Sequence, residues 1–344
     1  MNNHIIEIND LHKKFGEVHA LQGVSLQVKR GEIYGFIGKN GAGKSTTMNI
    51  MAGLSRPHSG SCIINGHEIT TVKHPGQLSI GYLPEAPTFY GWMTARESLE
   101  YLKHNGKRRV QPSIVVTDGT SDQAFAGIDE MLSWVGLADV ADRRIGGFSR
   151  GMKQRLGLCQ ILMHEPELLI LDEPSSALDP EGRSDILRLI RELNQMGKTI
   201  IFSTHILSDV ERICHTVGMI ADGRMIMEKP LSEMLRQDIN PIFEIELGHP
   251  IDEDTIRNLR ENAAIEKISE HGNTQLNVIV RDEDAGSKAI VNWAATNNLP
   301  LRGFTLRQVN LEELFIQEVN GSNGSDRSHA SKATRPELIG GQTK

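Results

Sequence analysis

A glycine-rich loop at residues 38–46 constrains the fold of this chain more than any other segment. Its sequence, GKNGAGKST, matches the pattern G-x-x-x-x-G-K-[ST]. It follows a short apolar stretch at 32–37 and precedes a stretch that we predict to be helical. The glycines let backbone N–H groups converge on a phosphate, and the start of the helix adds the positive end of its dipole. The sequence and its context therefore predict a loop that binds the phosphates of a nucleotide.

Two side chains of this loop have distinct expected roles. We expect Lys44 to contact the β- and γ-phosphates and Ser45 to ligate Mg²⁺ through its hydroxyl. The candidate nucleotide-binding residues of the loop are Gly38, Lys39, Asn40, Gly41, Ala42, Gly43, Lys44, Ser45 and Thr46.

Two carboxylates follow the apolar run Leu168–Leu171, which is typical of a buried strand in a parallel sheet. Asp172 comes first, and we expect it to hold Mg²⁺. Glu173 comes directly after it, at a position from which a carboxylate can polarise an attacking water. Since a phosphate loop is also present, the pair predicts a site for nucleotide hydrolysis.

The order of predicted elements indicates an α/β fold. Strands and helices alternate around the loop and around the apolar strands at 168–172 and 199–203. This alternation is typical of a mostly parallel sheet covered by helices on both faces. Residues 5–8 and 24–28 alternate apolar and polar side chains, which predicts an antiparallel part, and 12–16 has the composition of a turn between them.

Two further regions have compositions of their own. Helices predominate from about 86 to 165 and predict a helical subdomain. Within it, residues 105–124 mix charge, Gly, Pro, Ser and Thr without a period, and we interpret them as an exposed insertion. The nucleotide-binding domain as a whole is predicted to span 1–229.

The pattern changes near Pro230. Residues 240–320 predict the order β-α-β-β-α-β, typical of a small α+β domain, and end in a helix predicted at 310–319. Its sequence contains no catalytic constellation. Residues 321–344 are polar and rich in Gly and Ser, so we predict a disordered tail.

Net charge, cysteine spacing and hydrophobicity argue against several classes of protein. The formal net charge of −7 over 344 residues disfavours a protein that coats nucleic acid. Cys62, Cys159 and Cys214 are isolated, which argues against a zinc site or a disulfide framework and favours a reducing compartment.

The first residues lack the apolar core of a signal peptide, and no run of about 18 apolar residues occurs. If the protein works at a membrane, a partner is expected to supply the spanning part.

Further motifs resemble those of ABC (ATP-binding cassette) ATPases. Residues 147–155 (GFSRGMKQR) resemble the signature motif, Asp172 begins a DEP motif, 176–179 (SALD) resemble the D-loop, and Ser203-Thr204-His205 resembles the switch motif. Their order and spacing match that family from residue 1 to about 228. The resemblance implies a P-loop NTPase fold, ATP as ligand with Mg²⁺, and ATP hydrolysis.

The resemblance also implies that two cassettes enclose two ATP molecules head to tail. Ser149, Arg150 and Gly151 of one subunit then face the γ-phosphate held by the other, near Asp179 of the D-loop. His205 is implied to contact the γ-phosphate and to orient water or Glu173. Phe15 resembles the aromatic residue that stacks on adenine, and the alternative is a phenylalanine of the core.

Two positions depart from the family pattern. Glu85 stands where the Q-loop usually has glutamine, and we expect it to approach Mg²⁺ or its water with an added negative charge. Arg150 and Met152 replace the commoner Gly and Gln of the signature. The variant signature is similar to that of cassettes that pair with ABC-2-type exporter permeases.

The resulting hypothesis is an ATPase subunit of an exporter. Its expected partners are a second cassette and a separate multi-spanning permease that holds it peripherally on the cytoplasmic face of the membrane. Aromatic side chains at 86–102 suit a groove for that permease, with packing inside the helical subdomain as the alternative. The alternative function is a soluble ABC ATPase acting on nucleic acid or ribosomes. Since the chain has one cassette, no zinc spacing and a negative charge, no nucleic-acid partner is expected.

Overall fold

A computed structural model of the chain describes residues 3–72, 78–105, 125, 127–234, 241–307 and 311. Beyond Asn105, the insertion predicted at 105–124 lies outside these residues. The tail predicted at 321–344 also lies outside them, as does the helix predicted at 310–319 apart from Leu311. The chain divides into two compact units, the first ending at Leu231 and the second beginning at Ser232.

The first unit contains ten described strands and six described α-helices, and α7 (Leu231–Met234) begins at its end. The strands are β1 (His4–Phe15), β2 (Val18–Lys29), β3 (Ile33–Ile37), β4 (Ser59–Ile64), β5 (His67–Glu68), β6 (Ile80–Leu83), β7 (Leu168–Leu171), β8 (Thr199–Thr204), β9 (Thr216–Ala221) and β10 (Arg224–Pro230). The helices are α1 (Lys44–Met51), α2 (Ala95–Asn105), α3 (Ile128–Trp134), α4 (Arg150–Leu162), α5 (Pro180–Gln195) and α6 (Leu207–Ile213).

The central sheet has the strand order β10-β9-β3-β8-β7-β6. Strands β9, β3, β8, β7 and β6 are parallel, and β10 pairs antiparallel with β9 at the edge. Every residue of β3, β7 and β8 is buried, as expected for strands covered on both faces. This confirms the predicted α/β fold with a mostly parallel sheet, and it places the loops after β3, β7 and β8 at one edge.

A second, antiparallel sheet has the order β2-β1-β4-β5. The turn predicted at 12–16 is wrong, because β1 continues to Phe15 and pairs there with Val18. The polar residues in this stretch are held as strand by neighbours on both sides: His12 pairs with Gln22 of β2 and with Ser59 of β4. The turn itself begins at Gly16, whose φ of 57° suits glycine.

The second unit has the order β11 (Ile242–Leu247), α8 (Glu253–Arg260), β12 (Ile265–His271), β13 (Gln275–Val280), α9 (Glu283–Thr296) and β14 (Leu301–Arg307). Its sheet is antiparallel, with the order β12-β13-β11-β14, which is the split βαβ arrangement. Asp252 and Asp282 cap the two helices by accepting hydrogen bonds from backbone N–H groups three residues on, at 2.7 and 2.8 Å. The predicted small α+β unit therefore forms around its own apolar core.

Candidate active site

A cavity of about 600 Å³ opens at the carboxyl end of β3, beside the glycine-rich loop. Its lining combines residues of that loop with residues from five other segments of the first unit. The lining residues are Val18, His19, Ala20, Gln22, Asn40, Gly41, Gly43, Lys44, Ser45, Thr46, Glu85, Glu173, Ser176, His205, Asp222 and Gly223. Gly38, Lys39 and Ala42 of the loop do not line it.

The glycine-rich loop needs glycine at Gly43, which directly precedes α1 and has a φ of 110°. A Cβ at this position would lie 2.8 Å from the backbone oxygen of Ala20, so a larger residue would displace β2. Lys44 is buried, and its Nζ donates hydrogen bonds to the carbonyls of Gly38 (2.7 Å) and Lys39 (3.3 Å). These contacts fold the lysine back over the loop, where its ammonium faces the cavity.

Asp172 directly follows β7 and is buried below the cavity. Its Oδ1 accepts hydrogen bonds from Ser203 Oγ at 2.6 Å and from Ser45 Oγ at 3.2 Å. Burial raises the pKa of the Asp172 carboxyl, and the charges of Glu173 and Glu85 raise it further, while the two serine hydrogen bonds lower it. A carboxyl in this setting is stabilised as an anion by a nearby cation.

Both the backbone and the side chain of Glu173 are held by neighbouring residues. Its backbone is in the left-handed region, with a φ of 48°, and its N–H donates to Ser203 Oγ at 2.9 Å. Its Oε2 lies 2.8 Å from Nδ1 of His205, and its Oε1 lies 3.1 Å from Nζ of Lys44. Among the described residues, none donates a hydrogen bond to Oε1, although that atom is buried. Apart from the Lys44 ammonium, Oε1 has no partner among the described residues, and it can accept a hydrogen bond from a donor that enters the cavity.

A second cavity of about 490 Å³ lies at the N-terminal end of α4. Its lining includes Ser149, Arg150, Gly151 and Asp179. Ser149 caps α4, because its Oγ accepts a hydrogen bond from the N–H of Met152 at 3.2 Å. A Cβ on Gly151 would meet only an ordinary contact within this protomer, 3.6 Å from Leu178, so internal packing does not require this glycine.

An ion pair joins Glu85 and Arg150, two residues that depart from the family pattern. Nη2 of Arg150 lies 3.2 Å from Oε1 of Glu85, although the residues are 65 positions apart. Glu85 lines the first cavity and Arg150 lines the second. The pair balances the negative charge that glutamate introduces at the Q-loop position.

Phe15 lies outside the first cavity. Its side chain is 54% exposed and carries the ammonium of Lys13 5.0 Å from the ring centroid. The ring is therefore not part of the core, and its stacking on adenine remains a prediction. Sequence reasoning did not single out six other lining residues, which are Val18, His19, Ala20, Gln22, Asp222 and Gly223, and it named Ser176 only as part of the D-loop motif. The Asp-Gly turn at 222–223 was a usable signal, since such pairs mark hairpin turns.

Comparison with known proteins decides the family. A family model described as ABC transporter matches residues 21–176. The uncharacterized ABC transporter ATP-binding protein YxlF of Bacillus subtilis (strain 168) is 34% identical over 319 residues, which cover 92% of this chain and 100% of the relative. This chain belongs to the ABC transporter ATP-binding proteins.

Two further similarities support this ABC cassette assignment. The bacitracin transport ATP-binding protein BcrA of Bacillus licheniformis is 32% identical over 325 residues, covering 92% of this chain and 98% of the relative. A dimeric ATP-binding cassette, MJ0796, solved in a post-hydrolysis state with ADP and Pi, matches with a TM-score of 0.56 and 25% identity over 66% of this chain and 98% of its own. The protein is thus the ATP-binding subunit of an ABC transporter, a family whose cassettes hydrolyse ATP to power transport.

The helical part of this ABC cassette carries an aromatic groove of about 360 Å³, lined by Thr88, Phe89, Tyr90, Met93, Ser98, Tyr101, Leu102 and Gln160. Tyr90, Tyr101 and the neighbouring Trp92 are more than half exposed, and Tyr90 lies 5.9 Å from Trp92 between ring centroids. These three rings are therefore not packed inside the subdomain. Over the described residues, no helix has the length and apolar character needed to span a membrane.

Proposed function

We propose that this cassette uses Glu173 as the general base for ATP hydrolysis and drives a separate membrane-spanning exporter subunit. The observation that carries the proposal is the setting of the Glu173 carboxylate. One oxygen contacts His205, and the other lies next to Lys44 with no hydrogen-bond donor among the described residues. A water that donates a hydrogen bond to this oxygen, beside the Lys44 ammonium, would be held at the edge of the cavity that the phosphate loop lines.

The proposed reaction is attack of water on the γ-phosphorus of ATP. Glu173 takes a proton from the water, whose oxygen forms a bond to the γ-phosphorus. The bond between that phosphorus and the β–γ bridging oxygen breaks, and ADP leaves with the electron pair. Lys44, which now donates to two loop carbonyls, stabilises the charge on the phosphates. His205 orients the Glu173 carboxylate through the 2.8 Å contact.

Mg²⁺ fits the oxygen atoms at the foot of this cavity. Ser45 Oγ and Asp172 Oδ1 are 3.2 Å apart, and Glu85 lines the same cavity. No cluster of three or more His, Cys, Asp or Glu with metal-binding geometry occurs in the described part of the chain. Mg²⁺ binds one or two carboxylates and takes its remaining ligands from water and phosphates, which suits the oxygen atoms of Ser45 and Asp172. When bound there, the ion neutralises phosphate charge.

The second cavity supports a dimer in which two cassettes enclose ATP. The N-terminal end of α4 is a helix end of the kind that binds phosphate, and Ser149 and Gly151 lie there. No phosphate loop of the same protomer lines this cavity. A second cassette, bound head to tail, would bring its ATP to Ser149, Arg150, Gly151 and Asp179. The similarity to a cassette solved as a dimer agrees with this arrangement.

The aromatic groove is the proposed contact with a multi-spanning permease, which would hold the cassette at the cytoplasmic face of the membrane. Exposed Tyr and Trp side chains around a groove are typical anchors of a protein interface. The similarity to BcrA, whose name gives bacitracin transport, supports a transport role, and export is the direction that we propose. The alternative, a soluble ATPase acting on nucleic acid or ribosomes, is disfavoured by the net charge of −7.

Affinity purification from mild detergent extracts tests the choice between permease and nucleic acid. The wild-type chain should recover a multi-spanning membrane protein, and a Tyr90→Ala, Trp92→Ala variant should lose it while still binding ATP. Met196→Ala, which changes an exposed apolar residue at the end of α5, serves as the matched control. Recovery of ribosomes or DNA by all three proteins would favour the alternative.

A further inference from the structure

Asp209 is a carboxylate buried completely, with 0% exposure, in the first turn of α6. Its Oδ2 accepts a hydrogen bond from Ser175 Oγ at 2.8 Å. Its Oδ1 accepts one from Nε of Arg183 at 2.6 Å. Burying a charge is unfavourable unless it is paired and hydrogen-bonded, so Asp209 holds its two partners firmly in place.

Asp209 and its partner Ser175 belong to the two segments that carry the proposed reactive residues. Ser175 is buried and follows Glu173 by two residues. Asp209 itself follows His205 by four residues, so it anchors the helix that begins beside the histidine. The hydrogen bond between Ser175 and Asp209 therefore ties the segment that carries Glu173 to the segment that carries His205.

Arg183 adds a third segment to this network. It lies in the first turn of α5, where its backbone N–H donates to the carbonyl of Asp179 at 2.9 Å. Its Nη2 also donates to Ser208 Oγ at 2.7 Å, next to Asp209. The D-loop residue Asp179 is thereby connected to α6 through a single side chain.

We propose that Asp209 is a positioning residue that keeps Glu173 and His205 within hydrogen-bond distance, an inference that rests on the roles proposed above for those two residues. The His205 side chain is 44% exposed, so packing does not fix it, and its place depends on the backbone of α6. Glu173 has a left-handed backbone, a conformation that persists only where its surroundings hold it. The Ser175–Asp209–Arg183 cluster supplies that support from both sides.

Turnover of three variants in the purified full-length chain tests the proposal. In Ser175→Ala, Arg183→Gln and Asp209→Asn, kcat for ATP should fall on the order of 10- to 100-fold, because misplacing a reacting group by about 1 Å has such an effect. Affinity for a fluorescent ATP analogue should change little, because none of these three residues belongs to the phosphate loop or lines the first cavity. Arg188→Gln, which breaks an exposed ion pair with Glu192 on the same helix, should leave both quantities unchanged.

A double-mutant cycle separates positioning from general destabilisation. In a His205→Ala background, Ser175→Ala should cause no further loss of kcat, because the pair it positions is already broken. A loss that adds fully to that of His205→Ala would overturn the proposal, as would wild-type kcat in both Ser175→Ala and Asp209→Asn. Ser175→Ala removes a single hydroxyl and keeps the test valid if Asp209→Asn fails to fold.

Crystal structures of the same variants give a readout that does not depend on turnover. The distance from His205 Nδ1 to Glu173 Oε2 should exceed hydrogen-bond range in Ser175→Ala or Asp209→Asn. Retention of the 2.8 Å contact in both variants would overturn the positioning role. Wild-type turnover in His205→Ala would instead contradict the role proposed above for His205, and this geometric test would still decide whether Asp209 positions the pair.

Discussion

Oε2 of Glu173 lies 2.8 Å from Nδ1 of His205, although the two residues are 32 positions apart in the chain. The contact follows from the sheet: β7 and β8 are parallel neighbours, and each residue comes directly after or close after the end of its strand. Parallel strands bring their carboxyl ends to one edge, so two short loops suffice to build the reactive pair.

The first prediction concerns His205→Ala. We expect kcat for ATP hydrolysis to fall on the order of 100-fold, the scale of a positioned acid–base group, because Glu173 loses its orienting partner. Affinity for ATP should remain within a few-fold of wild type, since Lys44 and the loop are intact. Steady-state kinetics and a binding titration check this, with the exposed His67→Ala as the control histidine. Equal turnover in the two histidine variants would contradict the role of His205.

The ion pair between Glu85 and Arg150 leads to the second prediction. In Arg150→Gln, the Glu85 carboxylate loses its cation and repels the phosphates. Affinity for ATP should therefore fall about two- to five-fold, since exposed ion pairs contribute roughly 0.2–1 kcal/mol. Adding Glu85→Gln should restore the affinity.

Fluorescence titration of the single and double variants measures this coupling. The pair Arg30 and Glu167 provides a matched control, because it has a similar distance of 3.1 Å and similar exposure but lies away from both cavities. The charge-balance account fails if Arg150→Gln weakens ATP binding equally whether residue 85 is Glu or Gln.

Much of the fold follows from local sequence patterns. The glycine-rich loop between an apolar strand and a helix, and the apolar run before Asp172, are local signals, and the structure has the predicted elements there. The strand that extends to Phe15 was not predictable in this way. His12, Lys13 and Lys14 have the composition of a turn, and only their pairing with distant residues of β2 and β4 makes them strand.

The sequence also could not predict which side chains of the site contact each other. Ser203 contacts Asp172, Arg150 contacts Glu85, and Asp209 contacts Ser175, each across 31 or more positions. No periodicity encodes such contacts, because they depend on which strand ends and helix ends meet in the folded chain. Residue types and motif order predicted the candidate site residues, while their mutual hydrogen bonds required the structure.

The third prediction uses the buried Tyr34, whose hydroxyl donates to Glu228 Oε1 at 3.0 Å. Burial raises the pKa of Tyr34 well above its usual value, and the charges of Glu228 and Glu32 add to the effect. Since an unfolded tyrosine ionises near pH 10, the stabilisation from neutral Tyr34 is complete below about pH 10. It is lost as the pH rises toward the higher folded-state pKa.

Tyr34→Phe should therefore behave differently at two pH values. At pH 8 we expect it to be less stable than wild type by roughly 1–2 kcal/mol, through the lost hydrogen bond. At pH 11 the difference should shrink by about 1 kcal/mol, because only the wild type has an unfolded-state tyrosine at this position to ionise. Denaturant unfolding at both pH values measures it. A difference that stays constant with pH would contradict the account.

The most direct test of the central claim compares ATP turnover with ATP binding in Glu173→Gln, alongside Lys44→Ala. The account predicts that Glu173→Gln keeps near-wild-type ATP affinity, loses hydrolysis by at least about 100-fold and accumulates as an ATP-bound dimer, because the general base is gone while both cavities are intact. Lys44→Ala should instead lose affinity for ATP. Hydrolysis by Glu173→Gln at the wild-type rate would contradict the assignment of Glu173 as the general base.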